Sequence, residues 1–345
     1  MDRVQIGVIG LGIMGDLYVK IYSEHPLAEV VAVSSRRQER TDEVRRKYGV
    51  AHGYTDYQKM LERKDLDAIV IATPDHHHFA PARDALQAHM HVLVEKPFTT
   101  SLKEADELMR IAAQAKRKIQ VAFNHRWLAA YYQTKTLIAR GEIGVPLAGY
   151  ARKNDTIFVA TEYIKWAGET TPAWFLSSHD IDLIRWWLDS EPVEARAWGN
   201  RSVLAARGIP TYDVIQSQVR FASGAFVTFE SAWVYPNTFP SIVDSFVEVI
   251  GEAGHVHLDR KRESMEVSTE RGFHYPKSFL QTEIFGRVRG AFPSCLEDFL
   301  LAIKNDTEPH VNARDGRQVT AVLEAIHKSL ETGNTEPVTQ PLLDA

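Results

Sequence analysis

Three glycines, in the run Gly10-Leu11-Gly12-Ile13-Met14-Gly15, follow an apolar stretch from Val4 to Ile9 and open a helical pattern that Pro26 ends. In that context the spacing suits one chemistry, the binding of a dinucleotide pyrophosphate. Gly10 allows a tight turn, Gly12 lets backbone approach the phosphates, and Gly15 packs helix against strand. The N–H groups around Ile13 and Met14, at the positive end of the helix, then face the anion. An acid about 20 residues further on would bind the ribose 2′-hydroxyl of NAD. The chain instead reads Ala32-Val33-Ser34-Ser35-Arg36-Arg37. Small hydroxyls and guanidinium groups suit a 2′-phosphate, so Ser35, Arg36 and Arg37 favour NADP(H), with NAD(H) as the alternative.

Other clusters carry less. His76-His77-His78 lies on a strand-to-helix turn, where adjacent side chains diverge, and no Cys or carboxylate stands at ligand spacing, so no metal is expected. His255 and His257 share a strand face without a third ligand. Ser177-Ser178-His179 is adjacency along the chain, whereas a catalytic triad is assembled across a fold. Cys295 is the only cysteine, which excludes an intramolecular disulfide and reads as a buried thiol in a reducing compartment.

The elements that must position these residues follow from periodicity. Short apolar runs at 4–9, 30–33, 68–72, 91–94 and 119–123 read as buried strands, alternating with helical patterns. One such pattern is Leu102, Ala105, Leu108, Met109 and Ala112, with Ser101 and Glu104 as a capping box. The rhythm predicts a doubly wound parallel sheet over residues 1–123. Beyond Asn124 period-two alternation takes over: Ile215, Ser217, Val219 and Phe221 face one way, and Ser223-Gly224 offers a hairpin turn into Ala225–Trp233. Further strands are expected at 246–250 and 255–258, and helices at 295–304 and 313–331. The fold class is therefore α/β. The N-terminal domain is a Rossmann domain, and residues 124–345 form an α+β domain for substrate binding and oligomerisation, with a large open, mainly antiparallel sheet.

At 345 residues the chain is long enough for two cores, and 44% hydrophobic with 25% charged residues is an ordinary globular composition. A net charge of −5 offers no broad basic field for a phosphate backbone, so no nucleic acid is expected. The first residues lack a signal-peptide layout, and no apolar run approaches the roughly 20 residues needed to span a bilayer. The expected location is cytoplasmic, without membrane contact.

Taken together, Gly10–Gly15, Ala72-Thr73-Pro74 with His78, Glu95-Lys96-Pro97, Ser178-His179-Asp180-Ile181-Asp182-Leu183 and the late Pro309…Asp315-Gly316-Arg317 resemble the Gfo/Idh/MocA oxidoreductases, the family of glucose-fructose oxidoreductase and inositol dehydrogenase. The resemblance spans nearly the whole chain. It implies that Thr73, Pro74, His78 and Glu95 lie along the cofactor. Lys96 would sit beside the nicotinamide as the proton donor or acceptor for a substrate hydroxyl or carbonyl. A lysine suits that task because partial burial draws its pKa toward the working pH. His179 would orient the substrate hydroxyl.

Arg126 matches a family arginine near the pocket, with an interdomain salt bridge as its other reading, and Asn154 and Asp155 would face the substrate. One departure stands out: the family's sugar and inositol dehydrogenases carry an aspartate four residues before this histidine, where the chain has Phe175. Trp174 and Phe175 would stack on a sugar ring or belong to the core. Asp180 would substitute electrostatically for the missing acid or simply favour the helix start.

The implied reaction is hydride transfer between the nicotinamide and a secondary alcohol or ketone of a sugar, cyclitol or related small molecule. Two alternatives stand beside it. One is a redox-neutral lyase or glycosidase that oxidises its substrate transiently; the other is a nucleotide-sensing regulator without turnover. An open sheet face also predicts a homodimer or homotetramer.

Overall fold

The apolar run before the glycines forms strand β1 (Val4–Ile9), almost entirely buried on both faces, as a central parallel strand must be. The computed structural model describes residues 3–340, which divide into two units: 3–124 with 283–317, and 125–282 with 318–340.

In the first unit β1 is joined by β2 (Ala28–Ser34), β3 (His52–Tyr54), β4 (Ala68–Ile71), β5 (His91–Val94) and β6 (Ile119–Val121). They form a six-stranded parallel sheet in the order β3-β2-β1-β4-β5-β6. Helices α1 (Ile13–Ser23), α2 (Gln38–Tyr48), α3 (Tyr57–Leu61), α4 (Phe79–Gln87) and α5 (Leu102–Ala115) connect the strands. The order reverses between β1 and β4, and such a reversal opens a crevice at the carboxyl edge of the sheet. Ser101 stands at the N-cap of α5 as expected, but its side chain makes no capping hydrogen bond. The helix start is held instead through the Ser101 carbonyl, which accepts from the Ala105 N–H at 3.0 Å and from Thr99 Oγ1 at 2.8 Å.

The second unit carries α6 (Ala129–Ala139), α7 (Ser178–Leu188) and the long strands β7 (Pro146–Thr156), β8 (Pro192–Asn200), β9 (Val214–Phe221), β10 (Phe226–Tyr235), β11 (Val243–Gly251) and β12 (His255–Asp259). Two short hairpins follow, β13 (Val267–Thr269) with β14 (Gly272–His274), and β15 (Thr282–Ile284) with β16 (Arg287–Arg289). Then come α8 (Ala291–Asn305), α9 (Ala313–Thr332) and β17 (Glu336–Pro337).

The large sheet runs β12-β11-β7-β10-β9-β8-β17, antiparallel except for the β7–β10 pair. Ile215, Ser217, Val219 and Phe221 are all buried, as their alternation predicts, and Gly224 turns the β9–β10 hairpin at φ +93°.

Residues 283–317 return to the first unit, where a single boundary at 123/124 does not place them. The reason is apolar: Leu296, Phe299 and Leu300 of α8 complete the core made by Val4, Ile6, Tyr18, Tyr22 and Val33. Among the described residues, no helix is long and apolar enough to cross a membrane.

Candidate active site

The glycine loop fits a dinucleotide on steric grounds. A Cβ on Gly15 would stand 1.8 Å from the Gly10 carbonyl oxygen, and one on Gly10, at φ +89°, would stand 2.6 Å from the Ala72 carbonyl oxygen. These two glycines are required by the junction itself. Gly12 has nothing within 4 Å of its would-be Cβ, so its side faces open space. It is also the N-cap of α1 and supplies no side-chain cap. The first N–H groups of that helix, at Ile13 and Met14, are therefore available to an anion, as a pyrophosphate cradle needs.

At the end of β2, Ser34 is buried and Ser35 partly so, whereas Arg36 and Arg37 are exposed and make no ion pair among the described residues. Sequence reading missed Arg40. Its Nε donates to the Leu11 carbonyl at 2.8 Å and its Nη2 to Asp16 at 2.8 Å, bracing the glycine loop against α2. The long reach of an arginine from the next helix leaves no local signal in sequence.

On the other side of the reversal, Thr73 Oγ1 donates to the His77 carbonyl at 3.1 Å, and Pro74 precedes a short 3-10 turn. His78 is buried, with Nδ1 2.7 Å from the Pro97 carbonyl oxygen and Nε2 3.0 Å from the Thr73 carbonyl oxygen. Burial lowers its pKa, and a neutral ring donates to only one of those carbonyls at a time. The ring thus ties the loop after β4 to the turn after β5. That turn carries Lys96, half-buried, directly behind the buried Val92–Glu95.

Glu95 is 6% exposed; the Tyr18 hydroxyl donates to its Oε1 and the Lys96 N–H to its Oε2 at 3.0 Å. Burial raises the Glu95 pKa, while the Lys96 ammonium, Tyr18 and the backbone N–H act against that rise. Lys96 thus stands on the same carboxyl edge of the same sheet as the glycine loop.

In the second unit, α7 begins after a π-helical turn (Ala173–Ser177), an irregularity often found where side chains are re-aimed for function. His179, in its first turn, stacks on His125 with ring centroids 4.2 Å apart and planes 17° apart. Arg126 makes a bidentate salt bridge with Asp182, at 2.9 and 2.6 Å, and its guanidinium lies 5.4 Å from the Trp186 ring. Arg126 thus makes a salt bridge, but within the second unit rather than between domains, and the bridge fixes the segment after β6 to α7.

Lys153 and Asp180 form a buried ion pair that the sequence reading did not foresee; burial lowers the lysine pKa against the pull of Asp180. Asp180 thus has a partner beyond the helix dipole. Asp155 lies on the Lys153 side of β7 and acts weakly against the lowering of the Lys153 pKa by burial. Asn154, one residue away, points to the opposite face and donates to Glu230 at 2.6 Å and to the Tyr235 hydroxyl at 3.0 Å. The expected pair Asn154 and Asp155 is therefore split by the pleat.

Phe175 packs edge-on to Trp233 (5.6 Å) and Trp166 (5.9 Å), against an apolar cluster with Val159, Leu176 and Leu204. Trp174 stacks on His327 at 5.2 Å. Trp174 is buried, and Phe175 is partly buried against this cluster. Among the described residues no group of three His, Cys, Asp or Glu side chains could hold a metal ion.

Comparison with known proteins agrees with this architecture. Residues 4–123 match the model of an oxidoreductase family's NAD-binding Rossmann fold, and residues 135–339 match the C-terminal alpha/beta domain of the same family. The chain is 28% identical over 339 residues to myo-inositol 2-dehydrogenase of Thermotoga maritima, covering 95% of this chain and 96% of that protein. It is 27% identical to scyllo-inositol 2-dehydrogenase (NAD(+)) of Bacillus subtilis, covering 91% and 90%. The fold is also that of scyllo-inositol dehydrogenase from Lactobacillus casei, solved with NAD(H) and scyllo-inositol, with a TM-score of 0.85, 24% identity and coverage of 98% and 100%. With both halves of the chain matched, the protein belongs to the Gfo/Idh/MocA family of NAD-binding oxidoreductases.

Proposed function

We propose that this protein is a nicotinamide-dependent dehydrogenase acting on a CH–OH group of a cyclitol or related sugar-like molecule, with Lys96 as general acid and base. The observation that carries the reading is the placement of Lys96: it leaves β5 at the same sheet edge as the uncapped start of α1, with a buried carboxylate beside it. The bound nicotinamide would supply the hydride acceptor or donor. The chain's own tasks are to cradle the pyrophosphate at Gly10–Gly15, to hold Lys96 at the end of β5, and to exchange the hydroxyl proton at Lys96 Nζ. His179 would orient the substrate hydroxyl, held by its stack on His125. The cyclitol class is supported by the inositol dehydrogenases among its relatives.

For the cofactor we favour NADP(H) over NAD(H). No carboxylate ends β2, and the exposed Arg36 and Arg37, with Ser35, suit a 2′-phosphate. The relatives' names point to NAD, so the titration decides. NADPH should bind more tightly than NADH, and Arg36→Ala with Arg37→Ala should remove about 10-fold or more of that preference, the worth of a charge-assisted hydrogen bond. Equal affinities in the wild type would overturn the selector.

The functional test is a spectrophotometric turnover screen of inositols and sugars with wild type and Lys96→Ala. The variant should lose about 10²–10⁴-fold in kcat while cofactor affinity is kept, the usual worth of a general acid or base. Failure to bind either nucleotide would sink the oxidoreductase reading. Substrate consumed without net change in cofactor absorbance would favour a redox-neutral reaction instead. We further place the protein in the cytoplasm as a homodimer or homotetramer, joined through the open face of its large sheet.

A further inference from the structure

Helix α1, which opens on the glycine loop, also reaches the residue that precedes Lys96. Tyr18 has no exposed surface, and Phe292 stands edge-on to its ring at 6.3 Å, so its hydroxyl is held where it donates to Glu95 Oε1. The other carboxylate oxygen accepts the Lys96 backbone N–H at 3.0 Å. We propose that the buried Tyr18–Glu95 pair is a positioning device that keeps a negative charge beside the Lys96 ammonium and so sets the protonation state from which Lys96 works.

Two influences oppose each other at Glu95. Burial pushes its pKa up, and the Lys96 charge, the Tyr18 hydroxyl and the Lys96 N–H each limit that rise and so favour the carboxylate. Burial and the Glu95 charge drive the Tyr18 pKa well up, so Tyr18 stays a protonated donor. An interaction between two charges is mutual: a carboxylate that the ammonium stabilises stabilises the ammonium in return. His78, whose pKa is lowered by burial with Lys96 acting in the same direction, adds no opposing charge while neutral.

The consequence bears on the step assigned to Lys96, and this inference rests on that assignment. In alcohol oxidation neutral Lys96 would take up the hydroxyl proton, and a bound nicotinamide would supply the acceptor for the carbinol hydrogen and its bonding electrons. In reduction the ammonium returns the proton. The Glu95 charge therefore favours the form that donates.

The test reads the Lys96 pKa directly, without turnover, from the pH dependence of its trace acetylation in the full-length protein, quantified by peptide mass spectrometry. Wild type, Tyr18→Phe, Glu95→Gln and the double variant are compared, with folding checked by circular dichroism. Glu95→Gln should lower the Lys96 pKa by about one unit, as loss of a close opposite charge does, giving about ten times more neutral amine at a given pH below its pKa. Tyr18→Phe should move it the same way by less. In the Glu95→Gln background Tyr18→Phe should add nothing, because it acts through that carboxylate. The acid limb of kcat/KM should move with the pKa.

An unmoved Lys96 pKa in Glu95→Gln overturns the proposal, and so does an additive double variant. Should Tyr18→Phe fail to fold, Glu95→Gln, which keeps the side-chain size and can still accept the Lys96 N–H, decides alone. Full turnover in Lys96→Ala would instead sink the role of Lys96 itself, a separate outcome.

Discussion

His91 is a titrating group outside the proposed chemistry that reports on the first unit. Its pKa is lowered to about 4, first by burial and then by the charges of Arg117 and Lys118. The geometry agrees, because Nδ1 accepts the Lys118 N–H at 3.1 Å and protonation there would break that bond. Between about pH 4 and its ordinary value of 6.5 the unfolded chain binds this proton and the folded chain does not. Stability from this group is therefore complete above pH 6.5 and falls away as the pH drops toward 4. His91 keeps some solvent contact, so the expected loss is on the order of 1–2 kcal/mol rather than the full shift. Urea unfolding at pH 7.5 and pH 4.5 should show it, and His91→Gln should flatten that part of the profile; an unchanged profile would reassign the pH dependence to other groups. At this scale the sequence was legible where a motif concentrates chemistry in a few neighbouring residues, as at Gly10–Gly15 and Glu95-Lys96-Pro97. It was silent on Tyr18–Glu95, Lys153–Asp180 and Arg40–Leu11, each of which joins residues from different elements and leaves no local pattern.

At the level of elements, the junction of β1 and α1 separates packing from binding within six residues. Gly15→Ala would force a Cβ to 1.8 Å from the Gly10 carbonyl, which only movement of the helix could relieve. Such overpacking typically costs about 1–3 kcal/mol, so both the Tm and dinucleotide binding should fall. Gly12→Ala adds a methyl group where nothing stands within 4 Å, at a φ of −75° that alanine adopts freely. Its Tm should stay near that of wild type while dinucleotide affinity drops by about 10-fold or more, a loss of about 1.4 kcal/mol, because the methyl group occupies the phosphate approach. Thermal unfolding beside a fluorescence titration checks both; a Gly12→Ala protein that binds normally would remove the cradle from this loop.

The same scale explains what the periodicity hid. Five of the six strands of the parallel sheet were readable as short apolar runs because they are largely buried, whereas the edge strand β3, His52-Gly53-Tyr54, is exposed to half-buried and offers no such run. Strand β7 was not read, since Arg152, Lys153, Asn154 and Asp155 look like a loop until the buried Lys153–Asp180 and Asn154–Glu230 contacts are known. Phe175, at the position where an acid was expected, belongs to the aromatic cluster around Trp233, and only the π-helical turn could have indicated where it points.

For the whole molecule the large sheet raises the question of association. Its inner face is buried, with α7 packed on β7 and Ser329 of α9 bonded to the Ala197 N–H at 2.9 Å. Cross-strand partners place Ile250, Ala148, Phe226, Arg220 and Glu194 in one outer row, and Phe246, Arg152, Glu230, Gln216 and Trp198 in another. Trp198 is 58% exposed, Phe226 49% and Ile250 45%. Apolar side chains on that scale, spread over several strands and interleaved with both signs of charge, suit an isologous contact in which a second copy meets the same face about a two-fold axis. Sedimentation velocity should therefore find a dimer or tetramer. Trp198→Arg combined with Phe226→Arg should shift it to smaller species, since each two-fold contact would then carry four added positive charges. Because both side chains are exposed on one chain, the fold should stay within about 0.5 kcal/mol of wild type per substitution once association is separated out by working at low concentration. A wild type that sediments as a monomer at micromolar concentration, or a double variant that keeps its assembly, would show that the outer face of this sheet is not where the chains meet.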